Sequence, residues 1–205
     1  MRASLAFFDV DTQVDFMLPS GALYVPGAVE IIPNLKKLFD FARARGIPVL
    51  SSADAHPPDD PSFREWPPHC VTGTPGQRRI PATQWEGAMI VPNRAGAFSA
   101  PSEWPRQIII AKQEYDATTN VNFDAIVAAL GPSRFAVFGV ATDYCVQSTA
   151  LSLLRRGYQV DLVSDAIRAI TEEGGRNAVE KVVAAGGRLV TTEVVCAEAA
   201  SADRA

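Results

Sequence analysis

Apolar and polar positions follow two rhythms along the chain, and the switches between them predict its architecture. Leu5 to Val10 is a short apolar run of buried-strand length. Ala28 to Ala44 carries Ile31, Leu35, Leu38, Phe39 and Ala42 at helical spacing, and Gly46 ends that helix. Ile47 to Ser51 reads as a second strand. Beyond residue 105 the spacing predicts a strand over Gln107–Ala111, a helix over Asn122–Leu130 and a strand over Arg134–Val140. A helix over Asp143–Arg156, a strand over Tyr158–Val163, a helix over Glu173–Ala185 and a last strand over Arg188–Thr191 follow. Such strand–helix repetition predicts an α/β fold, a three-layer α/β/α sandwich with a mostly parallel, doubly wound sheet.

Between Asp54 and Pro105 the rhythm fails. This stretch is rich in Pro, Gly and polar residues, with one strand expected at Met89–Val91. A long irregular insert in a compact domain calls for a functional reason. It also follows the carboxyl end of a strand, where open α/β sheets bind their ligands. The tail from Ala197 to Ala205 is small and polar and is expected to fray. No linker or repeat divides the chain, so a single domain over residues 1–205 is expected.

Composition narrows the function. A length of 205 residues suits one domain with a sizeable core. The net charge of -4 gives no electrostatic ground for nucleic acid or an anionic membrane as partner. No apolar run approaches the roughly 20 residues of a membrane helix. The chain opens almost directly into its first strand, without the segments of a secretory signal. Cys70, Cys145 and Cys196 are an odd, widely spaced set, a poor disulfide framework that fits a reducing compartment. A cytoplasmic protein is the resulting expectation.

The most informative stretch is Phe135-Ala-Val-Phe-Gly-Val-Ala-Thr-Asp-Tyr-Cys145. An apolar strand ends at Gly139, and an apolar-periodic helix then runs through Val146, Ala150, Leu153 and Leu154. Thr142 or Asp143 is a natural N-cap, which places Cys145 in the first turn. There the free amides and the helix dipole, worth ~1 kcal/mol, favour a thiolate. The same amides suit an oxyanion. Position alone leaves a second reading open, a small buried apolar side chain, which is also the default for Cys70 and Cys196.

Both histidines of the chain lie in the irregular insert. In Asp54-Ala-His56 the two polar side chains are two apart, so in an extended segment both point to one side. His69 follows in Trp66-Pro-Pro-His69-Cys70, where two prolines stiffen the backbone. One Asp and two His leave positions open on Zn, Mn or Fe, as a catalytic site requires. Asp59, Asp60 and Glu65 are nearby candidates for a further ligand, although Asp59 and Asp60 read more simply as solvated loop charges. Asp9 and Asp11 end the first strand, and Lys112 ends a later one. An Asp and a Lys at adjacent strand ends would pair beside the thiol, or simply form a salt bridge at the sheet edge. An ionised Asp9 inside a strand needs a partner, and none is evident in the sequence.

Together these residues resemble the nicotinamidase branch of the isochorismatase-like hydrolases. The anchors are Asp11-Thr-Gln13-Val-Asp15-Phe16, Asp54-Ala-His56, Trp66-Pro-Pro-His69-Cys, Lys112 and Gly139-Val-Ala-Thr-Asp-Tyr-Cys145, in order over nearly the whole chain. The resemblance implies a catalytic triad of Asp11, Lys112 and Cys145 and one divalent ion on Asp54, His56 and His69. Glu65 falls where some relatives place an extra acidic ligand. It also implies a cis Val140–Ala141 bond, an oxyanion hole from the Ala141 and Cys145 amides, and substrate contacts from Phe16, Trp66, Ala141 and Tyr144. The implied reaction is hydrolysis of nicotinamide to nicotinate and ammonia through a thioester, with pyrazinamide as another substrate and the metal orienting the ring. Members of the family often form homo-oligomers.

Departures from the family pattern concern the substrate more than the chemistry. After Lys112 the chain reads Gln-Glu-Tyr-Asp-Ala-Thr-Thr-Asn rather than a Gly-rich, Tyr-Ser-Ala-Phe-like run. Asp9 stands where relatives carry an apolar residue, and Val14 replaces a frequent Asn. A second reading is therefore another amidase of the superfamily, acting on a carbamoyl or ureido compound, a group that generally lacks the metal set. A third, from a different class, is a catalytically silent interaction module with a structural metal.

Overall fold

The computed structural model describes residues 4–202. Seven strands form one sheet, in the order β3-β4-β2-β1-β5-β6-β7, and every neighbouring pair is parallel. The strands are β1 (Leu5–Val10), β2 (Val49–Asp54), β3 (Met89–Val91), β4 (Gln107–Lys112), β5 (Arg134–Val140), β6 (Gln159–Arg168) and β7 (Arg188–Val190). The helices are α1 (Val14–Met17), α2 (Ala28–Arg45), α3 (Phe123–Leu130), α4 (Gln147–Arg155), α5 (Glu172–Ala184) and α6 (Thr192–Ala202).

Strand alternation sends side chains to two cores. Phe7 and Phe138 pack with Leu35, Phe39 and Val195 on the face covered by α2 and α6. Phe8 and Val137 pack with Ile126, Val127, Leu153 and Val182 on the face covered by α3, α4 and α5. These are the three layers that the alternation predicts. The chain winds from β1 outward through β2 to β4, then crosses to β5 and winds the other way. The winding order reverses between β1 and β5, and the crevice above their carboxyl ends is the ligand position of such sheets.

Gly139 sets how tightly that crevice is built. Its φ is +117°, and a Cβ there would lie 2.1 Å from the Val10 carbonyl oxygen. Only glycine lets β5 lie this close against the end of β1. Pairing with β6 is irregular at the same point, resuming at Gly139 with Ile167.

Most expected elements lie within a few residues of their predicted bounds. Gly46 ends α2 in the left-handed conformation, its amide bonded to the Ala42 carbonyl. β2 reaches Asp54, three residues beyond the expected end, so Asp54 belongs to the strand. β6 extends five residues beyond Val163. The tail differs most, because α6 is helical through Ala202 rather than frayed. Val195 is buried in the core, and Glu198 pairs with Arg134 and Arg188, which holds the helix down. Residues 203–205 of the expected frayed segment lie outside the described residues. No helix among the described residues is long and apolar enough to cross a membrane.

Candidate active site

Four strand ends meet in the crevice. β4 ends on Lys112, β2 on Asp54, β1 leads into Asp11, and β5 leads through Ala141 to Cys145. All four titratable side chains are buried. Lys112 Nζ lies 2.8 Å from Asp11 Oδ2 and 3.5 Å from Cys145 Sγ, and it donates to Asp54 Oδ1. The expected Asp–Lys pair is therefore present, but not between adjacent strands. β2 intervenes, and the lysine reaches past Asp54 to Asp11.

Asp11 has a positive φ of 49°, a left-handed conformation that costs a non-glycine residue roughly 1–2 kcal/mol. The turn breaks strand alternation, so Asp9 and Asp11 do not share a partner. Ser52 Oγ donates to Asp11 Oδ1 at 2.7 Å. Asp11 Oδ2 touches the lysine but receives no aligned hydrogen bond from the described residues.

Burial raises the Asp11 pKa, and the neighbouring Asp54 adds to this against the pull of Lys112. Burial opposes the Lys112 ammonium, yet Asp11 and Asp54 hold its pKa well above the usual lysine range. Burial also pushes the Cys145 thiol well up; Lys112 pulls it down, but the two carboxylates raise it further. The helix start was expected to favour a thiolate, and here desolvation and two negative neighbours outweigh it. Burial thus favours the neutral thiol beside a carboxylate whose own proton affinity is raised, an arrangement suited to proton transfer.

The turn holding Cys145 also differs from expectation. Val140–Ala141 is cis, and Thr142–Val146 forms a π-turn before α4 begins at Gln147. Neither Thr142 nor Asp143 caps it. The Asp143 carboxylate instead accepts from the Ile170 and Thr171 amides at 3.0 and 3.1 Å, tying the turn to the loop after β6. Cys70 is buried in the core and burial raises its thiol, in line with a packing role.

Beside Asp11, Lys112 and Cys145, the side chains of Asp54, His56 and His69 place ligand atoms within 4.8 Å of one another. Asp54 Oδ2 is 3.7 Å from His56 Nε2 and 3.9 Å from His69 Nε2. The other ring nitrogens are taken: His56 Nδ1 is 2.9 Å from Asp60 Oδ2, and His69 Nδ1 is 2.8 Å from the Pro67 carbonyl. Both Nε2 atoms are thereby turned toward Asp54, as ligating histidines need. The donor set fits a divalent transition metal. Asp11, Asp54 and Cys145 form a second such cluster, but the Lys112 ammonium already lies among them.

Two of the acidic candidates near this set read differently in the structure. Asp60 is not a solvated loop charge. Burial works against its carboxylate, but hydrogen bonds from Ser62 and His56 hold it down at about 2. Glu65 is exposed on the rim of the adjoining cleft and is not among the clustered ligand atoms, because it closes the short turn Pro61–Arg64 facing outward.

Asp9 acquires its partner from the insert. Arg79 Nη2 pairs with Asp9 Oδ2, Nη1 donates to the Ser52 carbonyl at 2.8 Å and Nε to the Thr83 carbonyl at 3.2 Å. Ser51 and Thr12 hydroxyls donate to the same carboxylate. Arg79 was missed because nothing local in the sequence joins residues 70 apart. An unexplained acid inside a strand was the one available signal that some distant cation had to exist.

A narrow apolar cavity opens onto Cys145. Phe16, Trp66, Ala141 and Tyr144 line it as expected, with Leu23, Val25, Ile170 and Tyr115 added by the fold. Cys145, Asp54 and His69 also face it, whereas His56 faces the adjoining cleft.

Comparison with known proteins places this geometry. The profile of the Isochorismatase domain matches residues 6–194. A nicotinamidase of Escherichia coli K12 is 26% identical over 208 residues, covering 89% of this chain and 92% of that one. A ureidoacrylate amidohydrolase of Azorhizobium caulinodans is 26% identical over 190 residues, covering 84% and 78%. The crystal structure of a pyrazinamidase of Pyrococcus horikoshii in complex with zinc superposes with a TM-score of 0.76 at 31% identity, covering 92% and 99% of the two chains.

Proposed function

The chain belongs to the Isochorismatase domain family and is an amidohydrolase, and on that premise we propose that it hydrolyses nicotinamide to nicotinate and ammonia with Cys145 as nucleophile. One observation carries the reading: Lys112 lies between Asp11, Asp54 and Cys145, and Cys145, Asp54 and His69 face one apolar, aromatic-walled cavity. A flat heteroaromatic carboxamide fits that chemistry, with its ring among Phe16, Trp66 and Tyr144 and its amide carbon at the sulfur.

In the first half-reaction the Cys145 proton passes to Asp11 as the sulfur bonds to the amide carbon. The Ala141 and Cys145 amides receive the negative charge on the carbonyl oxygen. Asp11 returns the proton to the leaving nitrogen, ammonia departs, and a thioester remains. Water then attacks the thioester with Asp11 again as base, releasing the acid and restoring the thiol. Lys112 keeps a positive charge beside Asp11 and the sulfur throughout. Asp54, His56 and His69 would hold a divalent ion, which supplies Lewis-acidic charge to the ring end of the cavity.

The test is ammonia release from nicotinamide, beside pyrazinamide and a panel of ureido and carbamoyl compounds. Chelator-sensitive turnover of nicotinamide is expected. Turnover of a ureido compound with nicotinamide inert would favour the rival reading, for which the ureidoacrylate amidohydrolase relative speaks.

The metal has its own prediction. Purified protein should bind about one divalent ion per chain by elemental analysis, on three protein ligands with open positions. Asp60→Ala, which releases His56 Nδ1, should weaken that binding by about 10–100-fold in a competitive zinc titration. Equal affinity in the variant would show that Asp60 does not orient the ligand.

A further inference from the structure

Tyr115 comes from the segment after Lys112 in which the chain departs furthest from the family motifs, and the fold brings it to the mouth of the site. Its Oη accepts from Trp66 Nε1 at 3.0 Å. Tyr144 packs against both rings, 5.4 Å from Tyr115 and 5.3 Å edge-on from Trp66. The three rings thus brace one another through two ring contacts and one hydrogen bond.

Trp66 and Tyr115 line two cavities at once. On one side is the narrow apolar chamber that holds Cys145. On the other is a wider cleft of about 460 Å³ that runs from the same Asp54 and His69 outward past Asp60, Glu65 and Glu114. Its lining contains four carboxylates and no lysine or arginine. Lys112 offsets the charge of Asp54 from behind the cleft, and Asp60, Glu65 and Glu114 keep its outer part acidic.

We infer that the Trp66–Tyr115 pair is the partition that sets substrate length, and that Tyr115 is its specificity-determining residue. With the partition in place, the acyl group is confined to a single flat ring. Without the Tyr115 ring, the chamber joins the acidic cleft, and a ring carboxamide bearing an aminoalkyl arm has room and countercharge for that arm. The inference rests on the aromatic-carboxamide reading above. Tyr115 is 45% exposed, so its loss costs little core packing.

The experiment compares kcat/KM for nicotinamide and for an aminoalkyl-substituted nicotinamide in the wild type, Tyr115→Phe and Tyr115→Ala. Thermal midpoints confirm folding. In Tyr115→Ala the ratio of the substituted to the plain substrate should rise by about 10-fold or more, carried by KM rather than kcat. Tyr115→Phe keeps the ring, and its ratio should stay within about 3-fold of wild type, since only one exposed hydrogen bond is lost. An unchanged ratio in Tyr115→Ala, with nicotinamide still turned over, overturns the partition and leaves the amidase reading standing. A wild type that hydrolyses no aromatic carboxamide overturns that reading and the partition with it.

Discussion

Cys145→Ala is expected to lower kcat for the amide substrate by on the order of 10⁴–10⁶-fold, the range seen when a covalent nucleophile is deleted. At 1.36 kcal/mol per decade that is roughly 5–8 kcal/mol of transition-state stabilisation. What remains is the chamber and the two oxyanion amides, which position an amide without a group to attack it. The fold should tolerate the change. Cys145 is a small side chain in the core between β5 and α4, and its truncation costs about 1 kcal/mol. Thermal unfolding should therefore report a nearly normal midpoint beside absent ammonia release. Cys145→Ser keeps the shape and should be almost as inactive, because a hydroxyl beside the same Asp11 is far harder to ionise. Turnover within 10-fold of wild type in the alanine variant would remove Cys145 from the chemistry. Mass spectrometry of a quenched reaction gives a second check, since the thioester on Cys145 should be visible in wild type alone.

The second large effect is on stability. Arg79 is buried and uses all three guanidinium nitrogens, on Asp9, the Ser52 carbonyl and the Thr83 carbonyl. Burial lowers its pKa to about 9, which leaves it charged at neutral pH. Arg79→Met strips the cation from a carboxylate that no water reaches, and breaking one side of a buried pair costs roughly 3–5 kcal/mol. For a chain of this size the thermal midpoint should fall by roughly 6–20 °C. Asp9→Leu should be comparably harmful, leaving the guanidinium unpaired. The double variant should recover a large part of the loss, because an apolar pair in place of a buried ion pair is often near neutral. Strictly additive single effects would show that Asp9 and Arg79 do not depend on each other.

These two predictions rest on residues of opposite legibility. Cys145 could be placed from sequence because strand, turn and helix are all local patterns, and Cys145 sits at their junction. Asp54 and His56 were legible for the same reason: two apart on an extended segment, they face one way. Arg79 and Tyr115 were not legible, since their roles exist only through partners brought near by folding, whereas Asp60 was singled out as a candidate but read as a loop charge. Asp9 looked like an anomaly until the insert delivered its cation from 70 residues away. At Cys145 only part of the electrostatics was legible: a helix end can be anticipated locally, but burial and the approach of two carboxylates, which raise the thiol's pKa, cannot. The tail failed for a similar reason. Its alanines favour a helix but show no apolar stripe to mark one, and α6 is held by Val195 in the core and by Glu198 reaching Arg134 and Arg188.

The placement of β5 beside β1 also bears on how the enzyme comes into being. A ribosome releases Asp11, Asp54, His56, His69 and Lys112 well before Cys145. At translation speeds of about 5–20 residues per second, the thiol follows Lys112 by roughly 2–7 seconds. In that interval the growing chain can assemble β1, β2 and β4 with the charged groups in place, while one edge of β1 waits for the strand that leads to the nucleophile. Gly139 must then seat β5 against that edge before any substrate can be attacked. Reactivity must wait longer still, because β6, β7 and the loop that ties Asp143 to Ile170 and Thr171 are all made after Cys145.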